Sequence, residues 1–280
     1  MAKKIHKETD IVFHIRRYNP ELDSKPLWKK YTVHVEPGMT VLDGLHQIRE
    51  TQDASLSLRY SCRMGVCGSC GMLLNGRPSL ACNTQILDIT TKVLTVASLP
   101  NFDIIKDLVP DLTPLFEKHI STSPHIVRND ADEMLNPTGE FYQTPEELTR
   151  YLQFTYCIKC GLCMSACPTL ATDPEYIGSQ ALPQAYRYNV DTRDDGFNLR
   201  KKIVGSTHGV FRCHYAGECS NVCPKGVDPA RAIQLMKREL VLDYLKLKKH
   251  RAKSHICSKP EGVERIPEIP EAPPFTVEQK

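Results

Sequence analysis

Cys62-Arg63-Met64-Gly65-Val66-Cys67-Gly68-Ser69-Cys70-Gly71, with Cys82 beyond it, is the first of two cysteine-rich runs. The second is Cys157-Ile158-Lys159-Cys160-Gly161-Leu162-Cys163-Met164-Ser165-Ala166-Cys167-Pro168, with Cys213, Cys219 and Cys223-Pro224 beyond it. Together they hold eleven of the twelve cysteines of this 280-residue chain. No apolar signal-peptide core follows Met1-Ala2-Lys3-Lys4-Ile5-His6-Lys7-Glu8, so a reducing compartment is expected. There, so many thiols serve as metal or cluster ligands rather than as bridges. At ~150 residues per domain the length gives about two domains. With 41% apolar and 25% charged residues the chain is globular, not disordered, collagen-like or polytopic. A formal net charge of +3 gives nucleic acid no support. No stretch approaches the ~20 apolar residues that span a bilayer, so any membrane is met through a partner. Arg16-Arg17 precede Tyr18-Asn19-Pro20-Glu21 and not an apolar segment. They read as two surface arginines at a strand end, not as an export signal.

Around the first run the pattern is β-rich. Ile11, Phe13 and Ile15 alternate with Val12, His14 and Arg16, and Tyr31, Val33 and Val35 with Thr32, His34 and Glu36, which predicts paired strands. Pro37-Gly38 turns the chain. Thr40 with Asp43 caps a helix that carries Leu42, Leu45 and Ile48 towards the sheet. Asn75-Gly76 marks a hairpin between Met72-Leu74 and Ser79-Cys82, and Lys92-Val96 adds a strand. This order is that of a β-grasp domain. From Pro100 to Pro137 prolines recur in a connector, with a short helix expected at Asp103-Val109. Thr144-Pro145-Glu146-Glu147 restarts a helical pattern that runs through Phe154. Asp228-Pro229 starts another, with Ile233, Met236, Leu240, Tyr244 and Leu247 at helical spacing. The fold class is therefore α+β: a β-grasp domain at 1-105, a connector at 106-143, a mainly helical domain at 144-255, and a Pro/Glu-rich tail at 256-280.

Spacing sorts the thiols. Cys62, Cys67, Cys70 and Cys82 form C-x4-C-x2-C with a fourth cysteine after eleven residues, the plant-type ferredoxin spacing for a 2Fe-2S cluster. Its glycines allow positive φ and let bare amides approach the sulfides. A zinc site also uses four cysteines, but zinc ribbons prefer two C-x2-C knuckles and only one is present here. The second run is C-x2-C-x2-C-x3-C-P, the bacterial ferredoxin spacing. Cys213, Cys219 and Cys223-Pro224 fit the same template with Ala216 in second place. In such modules the fourth cysteine of each run binds the other cluster. That groups Cys157, Cys160, Cys163 and Cys223 around a 4Fe-4S cluster and leaves Cys167, Cys213 and Cys219 as three ligands. Three ligands argue for a 3Fe-4S cluster. The alternative is a 4Fe-4S cluster whose unique iron binds water or substrate. Cys257 matches no template and reads as a free thiol.

Neither a dinucleotide fingerprint nor a Ser/His/Asp or paired-carboxylate constellation stands out. His34 and His46 read as surface or satisfied structural residues. Three clusters without other chemistry predict an electron-transfer subunit with no catalytic residue of its own.

A plant-type ferredoxin followed by a bacterial-type ferredoxin lacking one cysteine resembles the iron-sulfur subunit of succinate dehydrogenase or fumarate reductase, respiratory complex II. The resemblance runs from about Ile11 to Tyr244 and is carried by Cys62 to Cys70, Cys157 to Pro168, and Cys213-His214 through Cys223-Pro224-Lys225-Gly226. It implies a place between a FAD-containing catalytic subunit and an integral membrane anchor, peripheral on the cytoplasmic side of the cell membrane. Electrons from succinate would pass from FAD to 2Fe-2S, 4Fe-4S, 3Fe-4S and a quinone; the opposite direction, quinol to fumarate, remains open. The family's aromatic pair after the C-P is absent from Pro168-Thr169-Leu170-Ala171-Thr172, and Trp28 is the chain's only tryptophan. A menaquinone-type or divergent anchor is expected. His214 would lie near the quinone or a haem b propionate, or would stabilise the cluster. The basic run Lys246 to Lys253 suits an anionic membrane face, or equally a solvated helix end. Other flavin-dependent dehydrogenases use comparable subunits, often with adjacent Cys-Cys pairs, which are absent here. A zinc-binding interaction module is the reading outside redox chemistry.

Overall fold

The computed structural model describes residues 8–135, 139–248 and 256–257. Strands β1 (Thr9–Arg17) and β2 (Leu27–Val35) pair antiparallel with Ile11 opposite Val33 and Phe13 opposite Tyr31. The alternating residues Ile11, Phe13, Ile15, Val33 and Val35 are all fully buried. Helix α1 (Val41–Thr51) covers them and opens with the expected capping box: the Asp43 amide donates to Thr40 Oγ1 and the Thr40 amide to the Asp43 carboxylate. The helix can approach this closely because Gly44 has no side chain; a Cβ there would meet Phe13 Cζ at 2.6 Å. Asn75-Gly76 joins β3 (Gly71–Leu74) to β4 (Arg77–Leu80), and the short α2 (Ile86–Ile89) leads into β5 (Val93–Ala97). Strand β5 runs parallel to β1, giving the sheet order β2-β1-β5-β3-β4.

Two expectations fail where residues distant in sequence meet. No helix forms at Asp103-Val109. Strands β6 (Ile104–Lys106) and β7 (Val109–Pro110) make a hairpin turning at Asp107, whose φ is 48°. The reason is the Asp107 carboxylate, which accepts from Arg17 Nε at 2.9 Å, the Tyr18 amide at 3.1 Å and the Ser57 amide at 2.9 Å. Arg17, in turn, is not a surface arginine. Its side chain is 12% exposed and also donates to Asp53 at 2.8 Å and to the Tyr31 hydroxyl at 2.7 Å. Donors on Asp53, led by Lys29, Ser55 and Tyr31, hold that carboxyl far below the usual carboxylate range.

The second half is helical. α3 (Thr113–Ser121), within the stretch expected as connector, buries Leu115 against α9 (Gly178–Asn189). α4 (Ala131–Leu135) and strand β8 (Glu140–Phe141) follow; Phe141 pairs with Ile256 and Glu140 with Cys257 of β9 (Ile256–Cys257). The Thr144 capping box forms as expected, but α5 (Pro145–Thr149) breaks before α6 (Leu152–Thr155). α7 (Leu162–Ser165), α8 (Pro168–Thr172), α10 (Phe197–Val204) and α11 (Glu218–Asn221) surround α9 and α12 (Pro229–Tyr244). Ala181, Leu182, Ala185, Ile233 and Met236 fill the seam. The apolar stripe expected on α12 reaches the core as far as Leu240: Tyr244 is 85% exposed, and Leu247 lies beyond the helix end. Arg200 on α10 is wholly buried, paired with Asp194 at 2.6 Å and bonded to Asn189 and to the Ser123 carbonyl.

The two halves touch through backbone. Asn101 Nδ2 donates to the Met164, Ser165 and Cys167 carbonyls at 2.9 to 3.1 Å, satisfying the end of α7. Arg77 donates to the Asn221 carbonyl at 2.9 Å. Leu162 and Val222 complete the core of the first domain. The expected tail beyond 257, the Cys257 side chain and the basic run beyond Lys248 lie outside the described residues; Lys248 itself pairs with Glu239.

Candidate iron-sulfur centres

The first thiol set sits on a loop built from left-handed backbone. Arg63, Gly65 and Gly68 have φ of 55°, 68° and 77°, which turns amides inward. Cys62 Sγ accepts from the amides of Met64, Val66 and Cys67 at 3.5, 3.3 and 3.2 Å. Gly65 donates to Cys82 Sγ at 3.2 Å and Cys82 to Cys70 Sγ at 3.4 Å. These amides, Met64 foremost, lower the Cys62 thiol to about 6, whereas burial pushes Cys70 up to about 12. Cys82 comes back to the loop because the β3-β4 hairpin ends there, in the 3-10 turn Ala81–Asn83. Met64 and Val66 are exposed at the loop's outer rim.

The second and third sets line two cavities. Cys157, Cys160, Cys163 and Cys223 share one, of about 410 Å³ empty volume, with Pro183, Gln184 and Val227. Cys167, Cys213 and Cys219 share the other, about 320 Å³, with Tyr176, Ala216 and Ile233. Ala216 stands where Cys160 stands in the second run, and the backbone repeats. Lys159 and Tyr215 have φ of 53° and 60°, Gly161 and Gly217 have 81° and 80°, and each glycine begins a four-residue helix. The two frames therefore differ at this position only in the side chain, a thiol in one and a methyl group in the other. Burial pushes Cys160 and Cys219 up to about 12 and raises Cys163 as well. Iron must displace those protons on binding.

No three or more Cys, His, Asp or Glu among the described residues close on one point as a single zinc ion requires. The thiols of the second and third sets instead line a cavity each. Gly68 abuts Cys160, where an added Cβ would lie 2.7 Å from the Cys160 Cβ, and only Ser179 lines both cavities. His214 is exposed beside Cys213. His34 is exposed and paired with Asp10, but His46 is not satisfied: its Nε2 is buried without a partner, the ring edge-on to Tyr60. Asn101, Tyr176, Ser179 and Gln180 have no sequence signal that marks them, since each acts through a fold contact.

Two cysteine-lined modules of ferredoxin spacing in contact define an electron-transfer protein. The family models agree: a 2Fe-2S iron-sulfur cluster binding domain matches residues 12–117 and a 4Fe-4S dicluster domain residues 153–227. The fumarate reductase iron-sulfur subunit of Mycobacterium tuberculosis is 44% identical over 227 residues, covering 81% of this chain and 91% of that protein. The mitochondrial succinate dehydrogenase [ubiquinone] iron-sulfur subunit of Candida glabrata is 37% identical over 236 residues, covering 82% and 91%. A chain of the Mycobacterium smegmatis Sdh1 complex in its apo form superimposes with a TM-score of 0.75 at 27% identity, covering 85% of this chain and 98% of that one. The chain belongs to the family of fumarate reductase and succinate dehydrogenase iron-sulfur subunits. Among the described residues no helix is long and apolar enough to cross a membrane.

Proposed function

We propose that this chain passes electrons between the FAD of a catalytic subunit and a membrane quinone, in a complex that oxidises succinate to fumarate. Cys62, Cys67, Cys70 and Cys82 are taken to hold a 2Fe-2S cluster, Cys157, Cys160, Cys163 and Cys223 a 4Fe-4S cluster, and Cys167, Cys213 and Cys219 a 3Fe-4S cluster. When bound, the clusters supply three one-electron stations. The observation that carries the reading is contiguity: the Gly68 backbone abuts Cys160, and Ser179 is the common wall of the two cavities. The protein's own work is to supply thiolates, to keep the stations close and to exclude side reactions with an apolar shell. Ala216 withholds a fourth ligand, because a methyl group has no lone pair to give.

Attachment is proposed to be peripheral, on the cytoplasmic side, through a membrane anchor subunit, with the domains divided near residues 105 and 143. His214, exposed beside Cys213 with the outward Phe211 and Tyr215, is proposed to lie near the anchor's quinone or haem. The absence of tryptophan after Cys167-Pro168 supports a menaquinone-type anchor. The reverse reaction, quinol to fumarate, is a second reading favoured by the higher identity to the fumarate reductase subunit, 44% against 37% for the succinate dehydrogenase one. An EPR redox titration of the purified complex tests the cluster set. A signal in the oxidised state from a three-iron centre, beside a reducible 2Fe-2S signal, is expected. Its absence would reassign Ala216. Turnover with ubiquinone alone would remove the menaquinone reading.

A further inference from the structure

Two buried hydroxyls face the cluster cavities, each with a cysteine thiol opposite it. Tyr176 is 0% exposed and Ser179 1% exposed. Neither the phenol oxygen nor Ser179 Oγ has a hydrogen-bond partner among the described residues. Tyr176 lines only the three-cysteine cavity, where Cys213 is the thiol its hydroxyl faces. Ser179 lines both cavities and faces Cys163. Their positions are fixed from outside. Lys118 of α3 donates to the Tyr176 carbonyl at 2.7 Å, and the Ile177 amide donates to the His208 carbonyl at 2.9 Å. Gly178, at φ +95°, then turns the chain into α9 so that Ser179 enters between the cavities.

Buried hydroxyls are nearly always bonded, and one left unpaired is destabilising. The wall around Tyr176 also carries Thr169, Tyr215 and Glu218, but the phenol oxygen reaches none of their oxygens; what it faces is the sulfur of Cys213. We propose that Tyr176 and Ser179 donate hydrogen bonds to cluster sulfur, Tyr176 to the three-cysteine centre and Ser179, through its single O–H, to the four-cysteine centre on the Cys163 side, and thereby raise their reduction potentials. The sign follows from charge. Reduction adds an electron to the sulfur framework, and a donor to sulfur is worth more to the more negative state. The inference rests on the ligand sets proposed above.

The test is an EPR redox titration of the intact complex with Tyr176→Phe, Ser179→Ala and Ser179→Thr. Tyr176→Phe removes only an oxygen and is expected to raise the oxidised-to-reduced ratio of the three-cysteine centre about tenfold at fixed potential, a fall of ~59 mV for one electron. The other two centres stay where they were. Ser179→Ala lowers the four-cysteine centre alone, and Ser179→Thr, which keeps the hydroxyl, restores it. Pulsed EPR in deuterated buffer gives an independent reading: an exchangeable proton coupled to the three-cysteine centre that disappears in Tyr176→Phe. Unchanged potentials with unchanged proton coupling would overturn the inference, leaving buried water as the hydroxyls' partner. Equal shifts at all three centres would also overturn it, as a general loosening. A wild-type complex lacking either helical-domain signal would instead overturn the ligand sets, and the inference with them.

Discussion

Gly68→Ala asks whether the two domains meet at contact distance because one side chain is absent. Gly68 has φ +77°, and a Cβ there would lie 2.7 Å from Cys160 Cβ, 3.0 Å from Cys160 Cα and 3.2 Å from the Ile158 carbonyl oxygen. The first distance is roughly 0.8 Å inside the optimal separation of two carbons. The opposing atoms are backbone or fixed to it, so no rotamer change relieves the overlap. Left-handed backbone costs an alanine about 1–2 kcal/mol. Overpacking adds about 1–3 kcal/mol, for roughly 2–5 kcal/mol together. Gly76 is the internal control: its φ is +81° with nothing within 4 Å, so Gly76→Ala carries the conformational part alone. At about 2–4 °C per kcal/mol for a chain of this size, Gly68→Ala should melt at least ~2 °C below Gly76→Ala. The measurement is loss of the visible cluster absorption on heating the cluster-loaded protein, comparing midpoints only, since a multidomain cofactor protein need not unfold in two states. Equal losses in the two variants would refute the contact and, with it, the packing of the first loop on the second.

Three further outcomes are expected. Ala216→Cys supplies the fourth thiol on a frame that already repeats that of Cys160, so the oxidised three-iron EPR signal should vanish in favour of a four-iron one; its persistence would show that the frame is not equivalent. Asp194→Asn leaves the Arg200 guanidinium, buried at 0% exposure, without its counter-charge and should cost about 3–5 kcal/mol, read as a lower denaturant midpoint; a loss under ~1 kcal/mol would place water at the pair. Asp53 titrates far below its unfolded value of about 3.9, so its contribution is full above that pH and is lost as pH falls through the acid range. Fluorescence of Trp28, the only tryptophan, should report acid unfolding of the sheet, with a flatter pH dependence below about pH 4 in Asp53→Asn; equal slopes would count against the Arg17-Asp53-Lys29 knot.

What could be seen in the sequence was whatever depends on short spacing. The alternation of Ile11, Phe13 and Ile15, the helix caps at Thr40 and Thr144 and the Asn75-Gly76 turn are local rules, and each was found where expected; the cysteine runs lie within the matched 2Fe-2S and 4Fe-4S dicluster domains. The misses depend on meetings across the chain. Arg17 looked exposed because Asp53 and Asp107 are 36 and 90 residues away. The helix expected at Asp103-Val109 lost to a turn whose carboxylate gathers three donors. α9 was hidden by Gly178 and Pro183, residues that argue against a helix locally; Pro183 instead forms part of the first cavity wall. Asn101 looked like one more polar connector residue, yet its amide closes the end of α7.

The three candidate centres also differ in what controls their sulfurs, and the difference limits how each can be altered. In the first loop seven backbone amides reach ligand sulfurs within 3.5 Å. In the second set the Val227 amide donates to Cys223 at 3.4 Å and the Leu162 amide faces Cys160; in the third the Tyr215 amide donates to Cys213 at 3.4 Å and the Ser220 amide faces Cys219. Amide donors favour the reduced state of a cluster, and desolvation favours the less charged one. The first centre's environment is thus written into loop conformation, through glycines that no other residue replaces cheaply. In the helical domain, besides Ser220 beside Cys219, side-chain donors gather on one segment: Tyr176, Ser179, and Gln180, whose Nε2 lies 3.8 Å from Cys157 Sγ. Substitution there can reset two centres without moving backbone. A chain that must match a different quinone could therefore change residues 176–180 while keeping the ligand frame and the contact at Gly68 intact.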